Sequence, residues 1–138
     1  MKNSILISII FLSGILNLNA QNTIEVEVVN FDSNNGTAFI GLYNTEGSFL
    51  ENEYKGGKVA INDRKAVLTF KDIPDGIYAI SVFHDEDGNG ELTTNFLGIP
   101  KESYGASNNA KGTFGPPKWE NSKFEVGNRE VLKIKIRL

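Results

Sequence analysis

The chain has 138 residues, with 14 Lys and Arg against 17 Asp and Glu, a formal charge of -3 at pH 7 and no Cys. A mildly acidic chain lacks the basic excess that nucleic-acid binding demands. The missing cysteines exclude a disulfide scaffold and thiol catalysis, so stability must come from a hydrophobic core, with a bound metal as the one further support.

Residues 1–20 have the layout of a secretory signal peptide. Lys2 supplies the positive start, Ile5 to Leu16 form an apolar run, and Ala20 is a small residue suited to cleavage. The run is short for a membrane span, and no second one follows. The absence of a Cys at the cleavage point argues against a lipoprotein. The expected mature chain is residues 21–138, a single domain of an exported, monomeric protein of a bacterial periplasm or exterior, with no membrane span.

Residues 23–30 alternate Ile24, Val26 and Val28 with Glu25 and Glu27, the period-two pattern of a strand with one face in the core. A turn at Asn34-Asn35-Gly36 precedes a second alternating run, residues 37–43, and the two together predict a hairpin. Residues 44–63 are polar and glycine-rich, with a short strand expected near 58–61. Residues 66–70 read as a strand, Ile73-Pro74-Asp75-Gly76 as a tight turn, and residues 76–83 as an apolar strand buried on both faces and therefore central. The last strand, from Val131 onward, sets Leu132, Ile134 and Ile136 on one face and Lys133, Lys135 and Arg137 on the other. Residues 93–123 form a long excursion rich in Gly and Pro, anchored by Phe96, Leu97, Ile99, Tyr104, Phe114 and Trp119. No stretch has helical periodicity. Together these elements predict an all-β protein, a single antiparallel sandwich of about seven strands, Ig-like or transthyretin-like, with a long ordered loop.

The segment richest in chemistry is His84-Asp-Glu-Asp-Gly-Asn-Gly-Glu-Leu92. Set against a twelve-residue calcium loop, Asp85, Asp87 and Asn89 stand at positions one, three and five, Gly90 at six, and Glu91 offers its carbonyl at seven. Positions nine and twelve are Thr93 and Phe96, so the closing ligand must come from elsewhere. Glu102 is the first candidate and Asn95 the second. The bland reading of the same residues is a solvated Asp-Gly and Asn-Gly turn. His84, the one histidine, is expected to cap the strand end by hydrogen bonding rather than to ligate. No nucleophile elbow accompanies Ser103 or Ser107, and no catalytic motif is present.

From Gly76 through Asn108, and at Gly115-Pro-Pro, the chain resembles a bacterial exported family catalogued as domain of unknown function 2141. The resemblance runs over essentially the whole mature chain and is strongest over the His84 to Asn108 block, which holds His84-Asp-Glu-Asp-Gly-Asn-Gly and Asn95-Phe-Leu-Gly-Ile-Pro-Lys-Glu-Ser-Tyr-Gly. It implies an envelope location and one β-domain, and no reaction. The family pattern carries Asn at the place of Asp87 and Asp at the place of Thr93, which implies that this chain has moved its second loop carboxylate from position nine to position three. Residues 73–80 are also similar to the edge of transthyretin-like sandwiches.

The expected function is a secreted or periplasmic binding or structural module, without enzyme activity, whose weak calcium site (Asp85, Asp87, Asn89, Glu91, Asn95, Glu102) orders the 93–119 segment. Its partner would be an envelope or extracellular ligand, a glycan or a protein. One alternative is a carbohydrate-binding accessory protein using the aromatic faces of Tyr104 and Trp119 beside His84. Another is an enzyme centred on His84, Asp85 and Glu102.

Overall fold

In a computed structural model that describes residues 21–138, two sheets pack face to face. Residues 1–20, expected to be a signal peptide, lie outside the described residues. The strands are β1 (Asn22–Val29), β2 (Thr37–Tyr43), β3 (Lys55–Ala60), β4 (Lys65–Ile73), β5 (Gly76–Asp85), β6 (Tyr104–Ala106), β7 (Phe124–Val126) and β8 (Val131–Arg137). One sheet runs β4-β1-β8 and the other β3-β2-β5-β6, with β7 joining β5 beyond β6. The all-β sandwich expected from the alternating runs is therefore present.

The core is made from one face of each long strand. Ile24, Val26 and Val28 of β1 meet Ile40 and Leu42 of β2 and Tyr78, Ile80 and Val82 of β5, while Phe70 of β4 and Ile136 of β8 close the sides. On the outer face of the first sheet, Glu25 and Glu27 stand opposite Lys133 and Lys135, and Lys135 Nζ lies 3.0 Å from Glu27 Oε1. Strand β5 is central, as its two-faced apolarity implies. Its outer side carries Ala79, Ser81 and Phe83, which the 86–123 excursion partly covers.

Three expectations are corrected. β1 and β2 are not a hairpin: β1 pairs β4 and β8, whereas β2 pairs β3 and β5. Their connection crosses from one sheet to the other because Phe31, within it, is fully buried as the plug of the sandwich end, and Asn30 takes a positive φ of 68° to aim it there. Alternation told which face of each strand is apolar; it carried no information on the pairing partner. The sandwich is also not wholly antiparallel, since β8 runs parallel to β1, with Ile24 opposite Leu132 and Val28 opposite Ile136. Finally, the excursion holds one turn of α-helix, Trp119–Ser122, too short to leave a periodic pattern.

Because Ile80 has no exposed surface and touches both sheets' core, Ile80→Ala should lower unfolding free energy by about 2–5 kcal/mol in urea titration. Val67→Ala, on the solvent face of β4, should stay within about 0.5 kcal/mol of the parent.

Candidate metal centre

Consecutive residues on a strand face opposite sides, and at the end of β5 this separates His84 from Asp85. His84 turns into the sandwich, where it is buried, meets the Phe31 ring edge-on at 5.3 Å, and places Nε2 2.7 Å from the carbonyl oxygen of Asn35. A carbonyl accepts only, so Nε2 carries the proton. His84 thus closes the end of the core, the hydrogen-bonding role its position suggested. It does not share a face with Asp85 and forms no acid–base pair with it.

Asp85 turns outward yet is only 1% exposed, because the β1–β2 connection presses on its backbone: a Cβ on Gly36 would stand 2.0 Å from the Asp85 carbonyl oxygen. Its Oδ2 accepts the Gly90 N–H at 2.9 Å, which wraps the loop back over the carboxylate with Gly90 at a φ of 81°. Its Oδ1 is buried and has no hydrogen-bond partner. Leaving a buried carboxylate oxygen without a donor is costly, and most such groups are satisfied.

The loop beyond it is tied by its own side chains at the two-residue spacing of Asx turns. Asp87 Oδ1 accepts the Asn89 N–H at 3.0 Å, and Asn89 Oδ1 accepts the Glu91 N–H at 2.8 Å. Thr93 Oγ1 donates to Asp87 Oδ2 and accepts from Asn89 Nδ2, both at 3.0 Å. These donors, the Asn89 N–H first and the Thr93 hydroxyl with it, hold the Asp87 carboxyl below the usual carboxylate range.

Glu102 enters from the return of the excursion. Its Oε1 accepts the N–H of Glu86 at 3.0 Å and of Asp87 at 3.5 Å, and its Oε2 accepts that of Thr93 at 2.9 Å. Backbone bonds from Lys101 N to Thr93 O (2.8 Å) and from His84 N to Ser103 O (2.8 Å) fix it there. Asp85, Asp87 and Glu102 each bring one oxygen within 4.8 Å of the others. Such a hard-oxygen set with no imidazole suits Ca²⁺, Mg²⁺ or Mn²⁺ rather than zinc or copper.

The side chains of the remaining expected ligands are engaged or turned elsewhere. Asn89 uses its side chain within the loop and Asn95 Oδ1 accepts the N–H groups of Leu97 and Ile99, while Glu91, expected to act through its carbonyl, has an exposed side chain outside the cluster. Thr93 is the residue the sequence reading passed over as a departure from the calcium pattern; its place at position nine is the signal that a polar group is needed there.

Above the outer face of β2 and β5 lies an open groove of about 1070 Å³. Phe39 and Phe83, stacked at 5.2 Å, line it together with Tyr104, Leu97 and Phe114. Trp119 is not part of an exposed platform with Tyr104: it packs against Phe49 at 5.8 Å, beside Tyr43 and Ala79.

A family model described as "Uncharacterized protein conserved in bacteria (DUF2141)" matches residues 26–134. No curated protein matches the chain, and no solved structure does, so the likeness to transthyretin-like sandwiches has no matching structure behind it.

Because the folded state favours ionised Asp87, its contribution to loop order is complete above the unfolded carboxyl pKa and is lost as pH falls through the lower folded value. A carboxyl-carbon NMR titration should place the Asp87 midpoint below the ~3.9 of a free Asp side chain. Thr93→Val, which removes a donor, should raise that midpoint; an unchanged midpoint would refute the hydrogen-bond account.

Proposed function

We propose that this chain, which belongs to the bacterial DUF2141 family, is an exported β-sandwich binding module whose acidic loop takes up calcium to lock the 93–119 excursion over the β2–β5 face. The observation that carries the reading is the Asp85 Oδ1, buried, without a donor, in a side chain whose carboxylate stands with those of Asp87 and Glu102. Three carboxylates this close repel one another, and a divalent cation both relieves the repulsion and supplies the missing partner. Calcium suits the arrangement better than magnesium, because a flexible loop with carboxylates and backbone carbonyls meets its irregular six- to eight-oxygen shell, whereas magnesium demands a near-ideal octahedron.

Asp85, Asp87 and Glu102 would hold the ion. Two of them belong to the loop and one to its return, so binding would tie together the two ends of the 88–101 stretch, which lines one side of the groove. The groove's aromatic lining supports a binding role for that face.

Extracellular sites of this type bind with Kd on the order of 10⁻⁴–10⁻³ M, so about 10 mM calcium should raise the melting temperature by roughly 5–10 °C over chelator. The double variant Asp85→Asn, Glu102→Gln should lose the rise while keeping near-isosteric side chains. No rise in the parent, or an equal rise in the variant, refutes the reading.

A further inference from the structure

Between Leu92 and Trp119 the chain exposes its largest apolar side chains: Phe96 is 94% exposed and Phe114 fully so, with Leu97 and Ile99 more than half exposed. A single exposed apolar residue is ordinary, but four on one excursion, three within four positions, are not. Leu97, Ile99 and Phe114 also line the same groove, so the two apolar tips border one cavity.

The exposed charge carried by the segment itself has one sign. The segment contains three cations, Lys101, Lys111 and Lys118, all exposed and, among the described residues, in no salt bridge. Its one carboxylate, Glu102, is turned inward onto the loop N–H groups. The acidic residues that line the groove together with these tips, Glu51, Glu53 and Glu91, come from outside the segment.

The tip at residues 95–99 is also prepared to leave water. The N–H groups of Leu97 and Ile99 bond to Asn95 Oδ1 at 2.9 and 3.0 Å, and that of Gly98 to the Asn95 carbonyl at 2.9 Å. Asn95 N in turn bonds to the Ile99 carbonyl at 2.9 Å. Moving a backbone donor out of water costs less when it is already paired, and three successive donors here are. Asn95, expected as a metal ligand, is instead the residue that closes this turn.

We propose that the 95–99 turn and Phe114 are a membrane-docking surface that inserts into the headgroup region of an anionic phospholipid bilayer while Lys101, Lys111 and Lys118 pair with the phosphates. Aromatic side chains and lysine stems suit that depth, with rings among the upper acyl carbons and ammonium groups in the headgroups. The inference is independent of calcium.

The experiment is vesicle flotation in chelator, with phosphatidylcholine vesicles either pure or containing about one third phosphatidylglycerol. The parent should float with the anionic vesicles only. Phe96→Ala with Phe114→Ala should weaken binding about tenfold or more, and Lys→Gln at positions 101, 111 and 118 about fivefold each. Because all five side chains are exposed, melting temperatures should match the parent, which checks folding. Equal binding to neutral vesicles, unchanged binding by the double phenylalanine variant, or no binding by the parent, as expected if the tips dock a protein instead, overturns the proposal. Any of these outcomes leaves the calcium reading standing on its own test.

Discussion

A carboxylate sunk into the end of a strand with one oxygen unpaired is the constraint around which this end of the molecule is arranged. Asp85 is held there from three directions: β2 pairs with it through Thr37, the Asn30–Gly36 connection lies against its backbone, and Gly90 folds back to donate to Oδ2. Each contact removes water and only one returns a hydrogen bond to its side chain. The remaining oxygen is left to whatever positive group the loop admits.

The same pleat that exposes this demand also separates it from the histidine beside it. His84 satisfies its polarity through the Asn35 carbonyl and gives its ring to Phe31, so the strand end is apolar on the inside and acidic on the outside. Glu102 then acts as the fastening of the long excursion. By accepting from backbone donors on both sides of the acidic loop it binds residues 86–93 to the chain nine to sixteen positions later. A segment rich in Gly and Pro has little order of its own, and a few such tethers, with Trp119 packed on Phe49 at its far end, are what let it stand over the sheet. Its apolar side chains then divide between those that anchor it and those that the anchoring leaves in solvent.

Much of the fold is legible in the residues. The alternation of Ile24, Val26 and Val28, of Leu132, Ile134 and Ile136, and the two-sided apolarity of β5 each identified a strand and its buried face, because side-chain period is a local property of extended backbone. The hairpin between β1 and β2 was read wrongly for a related reason: a turn signal states that the chain bends, and Phe31 decided that it bends into the other sheet. The β6 and β7 strands, three residues each, hold their places by pairing with β5 and carry no pattern long enough to read. Among the site residues, the spacing of Asp85 and Asp87 and the need for Glu102 were visible, while the roles of Thr93 and Asn95 were not. Both work through hydrogen bonds whose partners depend on the loop's closed shape.

By itself, then, the sequence determined the class of fold, the buried face of each long strand, and the presence of an acidic loop at the end of β5, all of which follow from interactions among residues close along the chain. Tertiary structure alone decided that β8 lies parallel to β1 and that β1 and β2 part into different sheets. It also set Glu102 beside Asp85, left one Asp85 oxygen buried without a donor, and turned Trp119 inward while Phe96 and Phe114 stayed outside. These depend on which distant surfaces compete for the same space, and that competition is settled only when the whole core packs.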